Sequence, residues 1–351
     1  MTKLTTPFSL KGLTLKNRIV MAPMCQYSVE AKDGIPNDWH FVHYVSRAVG
    51  GTGLIIIEMT DVDPDGRISD YDLGLWSDEQ ILPYQRIVNE VHKYGAKIGI
   101  QIGHAGRKAQ DAVQPVGPSD VPVNRLADES RQGEVKQPRA LITEEVKVII
   151  TQFKDAVRRA VAAGFDTIEL HGAHGYLIHQ FHSPGINTRK DQYGQDYSRF
   201  GVEVIEAVRS VIPEEMPLIM RMSAIEYMDG GYNLEHSIAI AKRYKEAGVD
   251  MFHVSSGGEA PPGKLKPANH PGYQIPFARA FKEALNTPVI AVGLLEDPHL
   301  AEATVANEDA ELIAVGRGLL RDPYWALHAI ETVSKQIVPP VQYKRAFRSE
   351  Q

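Results

Sequence analysis

Cysteine is nearly absent from these 351 residues: there is one, Cys25. A single thiol excludes an internal disulfide, a CxxC metal site and a four-cysteine iron–sulfur cluster. It also suits a reducing compartment, so a cytoplasmic protein is expected. An excess of positive charge is lacking too. Lys and Arg total 38 against 44 Asp and Glu, a formal charge of −6. A nucleic-acid binder usually shows the opposite balance, so no nucleic-acid partner is expected. Long apolar runs are missing: LIIIEM at 54–59 is the best, far short of the about 18 residues of a membrane span. The N-terminus, MTKLTTPFSL, has no apolar core of the signal-peptide kind. No membrane partner is expected. Internal repeats and low-complexity tracts are not visible.

What is present is a regular alternation. Eight short apolar runs recur: RIVMAP (18–23), LIIIEM (54–59), KIGIQI (97–102), TIEL (167–170), LIMRMS (218–223), MFHVSS (251–256), VIAV (289–292) and ELIAV (311–315). Several show little polar alternation, as parallel strands buried on both faces do. Helical patterns lie between them, as at 84–95, 145–164 and 237–248, closed by Gly95, Gly164 and Gly248. Eight β–α repeats predict an α/β fold, a (β/α)8 TIM barrel. The alternative, an open doubly wound sheet, would place a GxGxxG turn after the first strand. Here that strand runs into MAPMCQYS, which has no glycine. The chain 1–351 therefore reads as a single barrel domain with three additions. Residues 1–17 form an N-terminal hairpin turning at Gly12, placed to plug the barrel floor. Residues 105–142 form a long proline-containing excursion after strand 3. Residues 338–351 form a C-terminal tail.

A barrel builds its site from the C-terminal ends of its strands. Strand 1 ends in Pro23-Met24-Cys25-Gln26-Tyr27. Strand 3 contains Gln101 and leads to His104. Strand 4 ends in His171-Gly172-Ala173-His174-Gly175-Tyr176, and strand 5 carries Arg221. Strands 7 and 8 end in Gly293 and Gly316-Arg317, where barrels often hold a phosphate on backbone N–H groups. The bland reading of these glycines is tight turns. Arg221 in a buried run needs a partner, either a structural carboxylate or an anionic cofactor. Gln101 suits the edge of a heterocycle. His171 and His174 could bind metal with His104 as third ligand, donate N–H to a substrate oxygen, or cap the loop. Tyr176 adds a phenol, a poor base but a serviceable proton donor. Two N–H donors on a carbonyl beside a phenol form a constellation for reducing an activated C=C bond. Cys25, at the strand 1 exit, reads as a functional thiol rather than a core one.

These segments resemble the Old Yellow Enzyme family of FMN-dependent ene-reductases, in its bacterial cysteine-containing branch of NADPH dehydrogenases. The resemblance rests on LKNRIVMAPMCQYS, HYVSRAVGGTGLIIIE, IQIGHAGRK, AGFDTIELHGAHGYLIHQFHSP, MRMSA, SSGG, AVGLL and AVGRGLLRDP, from about Leu10 to Phe347. It implies FMN bound at the barrel mouth, with NADPH (or NADH) as co-substrate. Pro23, Met24 and Cys25 would line the flavin, Gln101 would bond its pyrimidine ring, and Arg221 would face its N1–C2 region. Gly293, Gly316 and Arg317 would hold the phosphate. His171 and His174 would bind the substrate oxygen and Tyr176 would supply the proton, with Tyr27 and Lys108 at the rim. Cys25 would tune the flavin and not act as a nucleophile. The tail VQYKRAF matches a branch in which an arginine, here Arg345, enters the neighbouring subunit's active site, implying a homodimer or homotetramer. Substrates would be α,β-unsaturated carbonyl or nitro compounds.

Two departures stand out. DQYGQDYSRF (191–200) is a few residues shorter than the family's stretch there. Met59 stands where a small residue is expected and would crowd the flavin. Rival readings are an FMN tRNA-dihydrouridine synthase, which wants a basic surface, and a metal-dependent barrel lyase or hydrolase using His104, His171 and His174. A flavin-storing protein is the non-enzymatic rival.

Overall fold

All eight apolar runs are strands, and they close on themselves. The computed structural model describes residues 2–123, 136–259, 262–335 and 337–346. The barrel strands are β1 (Ile19–Met21), β2 (Leu54–Asp61), β3 (Lys97–Gly103), β4 (Thr167–Gly172), β5 (Leu218–Ser223), β6 (Met251–Ser255), β7 (Val289–Val292) and β8 (Leu312–Val315). Each pairs in parallel with its neighbours, and β1 joins both β8 and β2, which closes the barrel. β1 is shorter than expected because Pro23 has no N–H to carry the ladder onward. Outer helices follow the strands in turn: α1 (Asp38–Val49), α2 (Ile81–Lys93), α3 (Thr143–Ala163), α4 (Arg199–Arg209), α5 (Leu234–Ala247), α6 (Ile275–Leu285), α7 (Pro298–Ala306) and α8 (Trp325–Ser334). α2 is capped at Tyr94, one residue before Gly95, which follows at φ +68°.

Side-chain parity divides the interior in two, because successive strand residues face opposite sides. Ile55 and Ile57 pack outward with the helices, while Leu54 and Ile56 pack inward. The inner cluster also holds Ile219, Met251, Ile290 and Leu312. The hairpin Phe8–Leu10 and Leu13–Leu15 completes it from below, with Phe8, Leu13 and Leu15 in the same cluster. The floor is therefore plugged by apolar side chains, and the barrel lumen opens at the C-terminal face.

The excursion after β3 begins with a helical turn at Gly106–Lys108, and Val116–Gly117 pairs with Arg139–Ala140. Its centre, 124–135, lies outside the described residues. The short segment at 191–200 is built around Asp191, which caps the turn Gln192–Gln195 and pairs with Arg189 at 2.6 Å. In the tail, Val338–Gln342 line a cavity with Lys16, Asn17 and Tyr94, residues at the N-terminal face of the barrel. Phe347 and Arg348 lie outside the described residues. Among the described residues, no helix is long and apolar enough to cross a membrane.

Candidate active site

The C-terminal ends of β1 to β5 open on a cavity of about 240 Å³. Pro23, Cys25 and Tyr27 line it from the loop after β1, and Met59 and Gln101 from β2 and β3. His171, His174 and Tyr176 line it from β4 and its turn, and Arg221 from β5. Parity explains the selection. Ile100, Ile102, Leu170, Met220 and Met222 pack outward, so Gln101, His171 and Arg221 face the lumen.

The turn after β4 aims the catalytic candidates. His174 adopts φ +57° and Gly175 φ +78°, a left-handed pair that reverses the chain within two residues. A Cβ at Gly175 would collide with the Lys108 ammonium. That ammonium donates to the His174 carbonyl at 2.8 Å and to the Gly258 carbonyl, and sits 5.6 Å from the Tyr176 ring centre. The His171 ring stands 5.3 Å from His174 and 4.8 Å from Tyr176, near edge-on to both.

Protonation states follow from the surroundings. Burial, then the Arg221 charge, holds both His171 and His174 well below the ordinary imidazole range, so both are neutral at pH 7. His171 Nδ1 accepts the Ala173 N–H at 3.3 Å, which leaves its proton on Nε2. His174 Nε2 lies 2.8 Å from the Ser255 hydroxyl. Gln274 Oε1 is 3.4 Å from that hydroxyl and already receives Ser256 at 2.6 Å. The Ser255 hydroxyl has one proton to share between Gln274 Oε1 and His174 Nε2, so Ser255 holds the His174 ring in either tautomer. Cys25 is different: burial, then the carboxylates of Asp72, Glu58 and Asp61, raise its thiol well above the ordinary value. It is a protonated thiol, which does not suit a nucleophile.

Some candidates lie apart from the cavity. Gly293 follows β7 at φ +123°, and Gly316 caps the short helix Arg317–Arg321, with Arg317 exposed. Met24 reaches toward Gly316, whose added Cβ would sit 3.3 Å from its sulfur. His104 does not join the other histidines. Its Nδ1 accepts the Gly106 N–H at 2.9 Å, and it lines a different cavity with Asp63 and Gln152. The three-histidine metal site is thereby corrected: among the described residues, only His179, Glu226 and Glu259 bring metal-ligand atoms close together. Even there, His179 Nδ1 accepts the Gly175 N–H at 3.1 Å, so its proton points from Nε2 to Glu226 at 2.9 Å. A proton occupies the position a cation would need.

Sequence reasoning missed a polar layer just below the cavity. Gln101 Nε2 donates to Glu169 Oε1 at 2.6 Å, and Glu169 Oε2 meets His253 Nδ1 at 2.7 Å. Their signal was a polar residue inside each of two apolar runs, TIEL and MFHVSS. The accommodation of Met59 was also missed: a Cβ on Gly103 would meet its Cγ and sulfur at 2.8 Å, so the glycine makes its room.

Arg221 Nε is buried and has no hydrogen-bond partner within the protein. A buried guanidinium left this way is built for an anion or a polar heterocycle arriving from the cavity. The Gln101 amide, which lines the same cavity, suits the edge of the FMN ring, and Gly293 and Gly316 follow β7 and β8, where barrels hold a phosphate. Barrel, orphaned arginine and paired neutral imidazoles together define a flavin-dependent oxidoreductase. The chain belongs to the NADH:flavin oxidoreductase / NADH oxidase family, whose model matches residues 3–336. That family uses FMN with NAD(P)H as co-substrate. The chain is 47% identical over 351 residues to an NADPH dehydrogenase of Listeria innocua serovar 6a, covering 99% of this chain and 100% of the relative. It is 43% identical over 350 residues to an NADPH dehydrogenase of Geobacillus thermodenitrificans, covering 99% of each. Morphinone reductase solved in complex with tetrahydroNAD matches with a TM-score of 0.78 at 28% identity, over 99% of this chain and 94% of that one. The resemblance to the Old Yellow Enzyme family is borne out.

Proposed function

We propose that the protein reduces the activated C=C bond of α,β-unsaturated carbonyl or nitro compounds at the expense of NADPH (or NADH). The observation that carries this is the convergence of two neutral imidazoles and a phenol on one cavity, with ring centres 4.8 and 5.3 Å apart. When bound, FMN would supply the two-electron hydride chemistry between the nicotinamide and the substrate's C=C bond. Pro23, Met24, Cys25, Gln101 and Arg221 would hold its ring, and Gly293, Gly316 and Arg317 its phosphate. His171 Nε2–H and the His174 ring bind the substrate oxygen. They draw electron density toward it and stabilise the charge that gathers there. Tyr176 O–H gives its proton to the α-carbon. Lys108 steadies the turn from behind, and Tyr27 forms the exposed rim.

Stopped-flow separation of the half-reactions tests this. Tyr176→Phe slows enone reduction about 10²–10⁴-fold, the usual worth of a positioned acid, and leaves reduction by NADPH nearly intact. Equal slowing of both halves would refute the role.

The reading extends to assembly: the protein works as a homodimer or homotetramer, with Arg345 lining the partner's substrate pocket. Gln342 lies at the N-terminal face of its own barrel, whereas the cavity opens at the C-terminal face, a placement that favours a role for the tail at a neighbouring subunit's site. Arg345→Ala raises the substrate KM while FMN content stays full. A monomer by light scattering, or wild-type KM in this variant, would show that the tail has no such role.

A further inference from the structure

Beside Gln101 in the β3–β4 register stands a buried carboxylate, Glu169. Glu169 faces the barrel lumen one pleat below His171, because Ile168 and Leu170 pack outward. Glu169 and His253 are completely buried. A carboxylate there is costly unless both oxygens are satisfied. Here both are: Oε1 by the Gln101 amide at 2.6 Å, Oε2 by His253 Nδ1 at 2.7 Å. His253 in turn stands directly opposite Arg221 in the β5–β6 register.

This arrangement fixes the Gln101 amide in one of its two orientations. With Nε2 turned down to Glu169, Oε1 and the second N–H are left for the cavity. The flipped amide would set its carbonyl oxygen against the carboxylate. A flavin pyrimidine edge presents an N–H between two carbonyls, so the orientation of one glutamine decides whether it matches. The charge matters as well. Glu169 lies within electrostatic reach of Arg221. It competes for the guanidinium with any negative charge that appears above.

We propose that Glu169, braced by His253, is a positioning residue that orients Gln101 and lowers the reduction potential of the FMN bound above it. The inference rests on the reading that Gln101 and Arg221 hold FMN.

The test measures FMN release from diluted holoenzyme by fluorescence, and the midpoint potential by dye-coupled reduction. Glu169→Gln weakens FMN binding about tenfold, the worth of one buried hydrogen bond, and moves the potential to a more positive value. Glu169→Asp keeps the charge but withdraws one methylene from Gln101. It loses affinity while holding the potential, and its milder change guards against misfolding. Gln101→Ala weakens binding by itself, and combining it with Glu169→Gln adds nothing further. If Gln101→Ala binds FMN as wild type does, the underlying reading of the site fails. If Gln101→Ala weakens FMN but both Glu169 variants keep wild-type affinity, only the role of Glu169 is overturned. An unmoved potential in Glu169→Gln overturns the tuning.

Discussion

Two imidazoles about five ångströms apart would repel one another if both were charged, and Arg221 makes charging harder still. On the proposed reading the site works with neutral imidazoles, the Ala173 N–H setting the tautomer of His171 and Ser255 holding the His174 ring. Removing one donor to an oxyanion typically costs about 2.7–4 kcal/mol. His171→Ala and His174→Ala should each weaken a phenol, which mimics the enolate oxygen, by an amount of that order. The long-wavelength absorbance of a phenol titrated into oxidised holoenzyme reports it. Unchanged affinity in both variants would remove the pair from substrate binding. These residues were legible because the turn after β4 gathers them within six positions, His171 to Tyr176. Glu169 and His253 were not. A polar residue inside an apolar strand usually marks a solvent face, and only barrel closure turns that parity into the lumen. His104 misled for the converse reason: nearness in the chain to a strand end does not fix where a ring points.

The eight strands were read almost at their observed bounds, because apolar residues on both faces mark a strand buried between lumen and helices. Hidden from a linear reading were the adjustments between neighbours. The β2–β3 register slips between Ile57 and Met59, and Met59 lies over the missing side chain of Gly103. Neither residue signals the other in sequence, so Met59 reads as an intruder when its space is in fact provided. Gly103→Ala should press on Met59 and destabilise the fold by about 1–3 kcal/mol, as overpacking does. Met59→Ala in the same chain should return most of that loss. Thermal melting of the single and double variants checks the coupling, and purely additive effects would show that the two sites are independent.

At the scale of the whole molecule, the buried titrating groups set how the protein responds to acid. Burial lowers His43 to about 3 and His104 to about 4, and drives His171, His174, His182 and His253 below their ordinary value. In the unfolded chain each would titrate near about 6.5. As pH falls below that value, the unfolded chain takes up protons that the native state refuses, and stability is lost. Two buried carboxyls act the other way. Burial raises Asp72 to about 7 and Asp61 well above its usual range. Each is protonated in the native state before the unfolded chain binds that proton near about 3.9, so each adds stability over the same interval. Six imidazoles outweigh two carboxyls, so urea unfolding of the FMN-free protein should show a clear net loss of stability from pH 7 to pH 5. His43 packs against Trp39 and Tyr44, away from the cavity. His43→Gln should remove about one proton from the dependence and flatten it by up to about 1.4 kcal/mol per pH unit. A stability that holds level or rises from pH 7 to pH 5 would mean that the carboxyls dominate, or that the buried rings take up protons without unfolding.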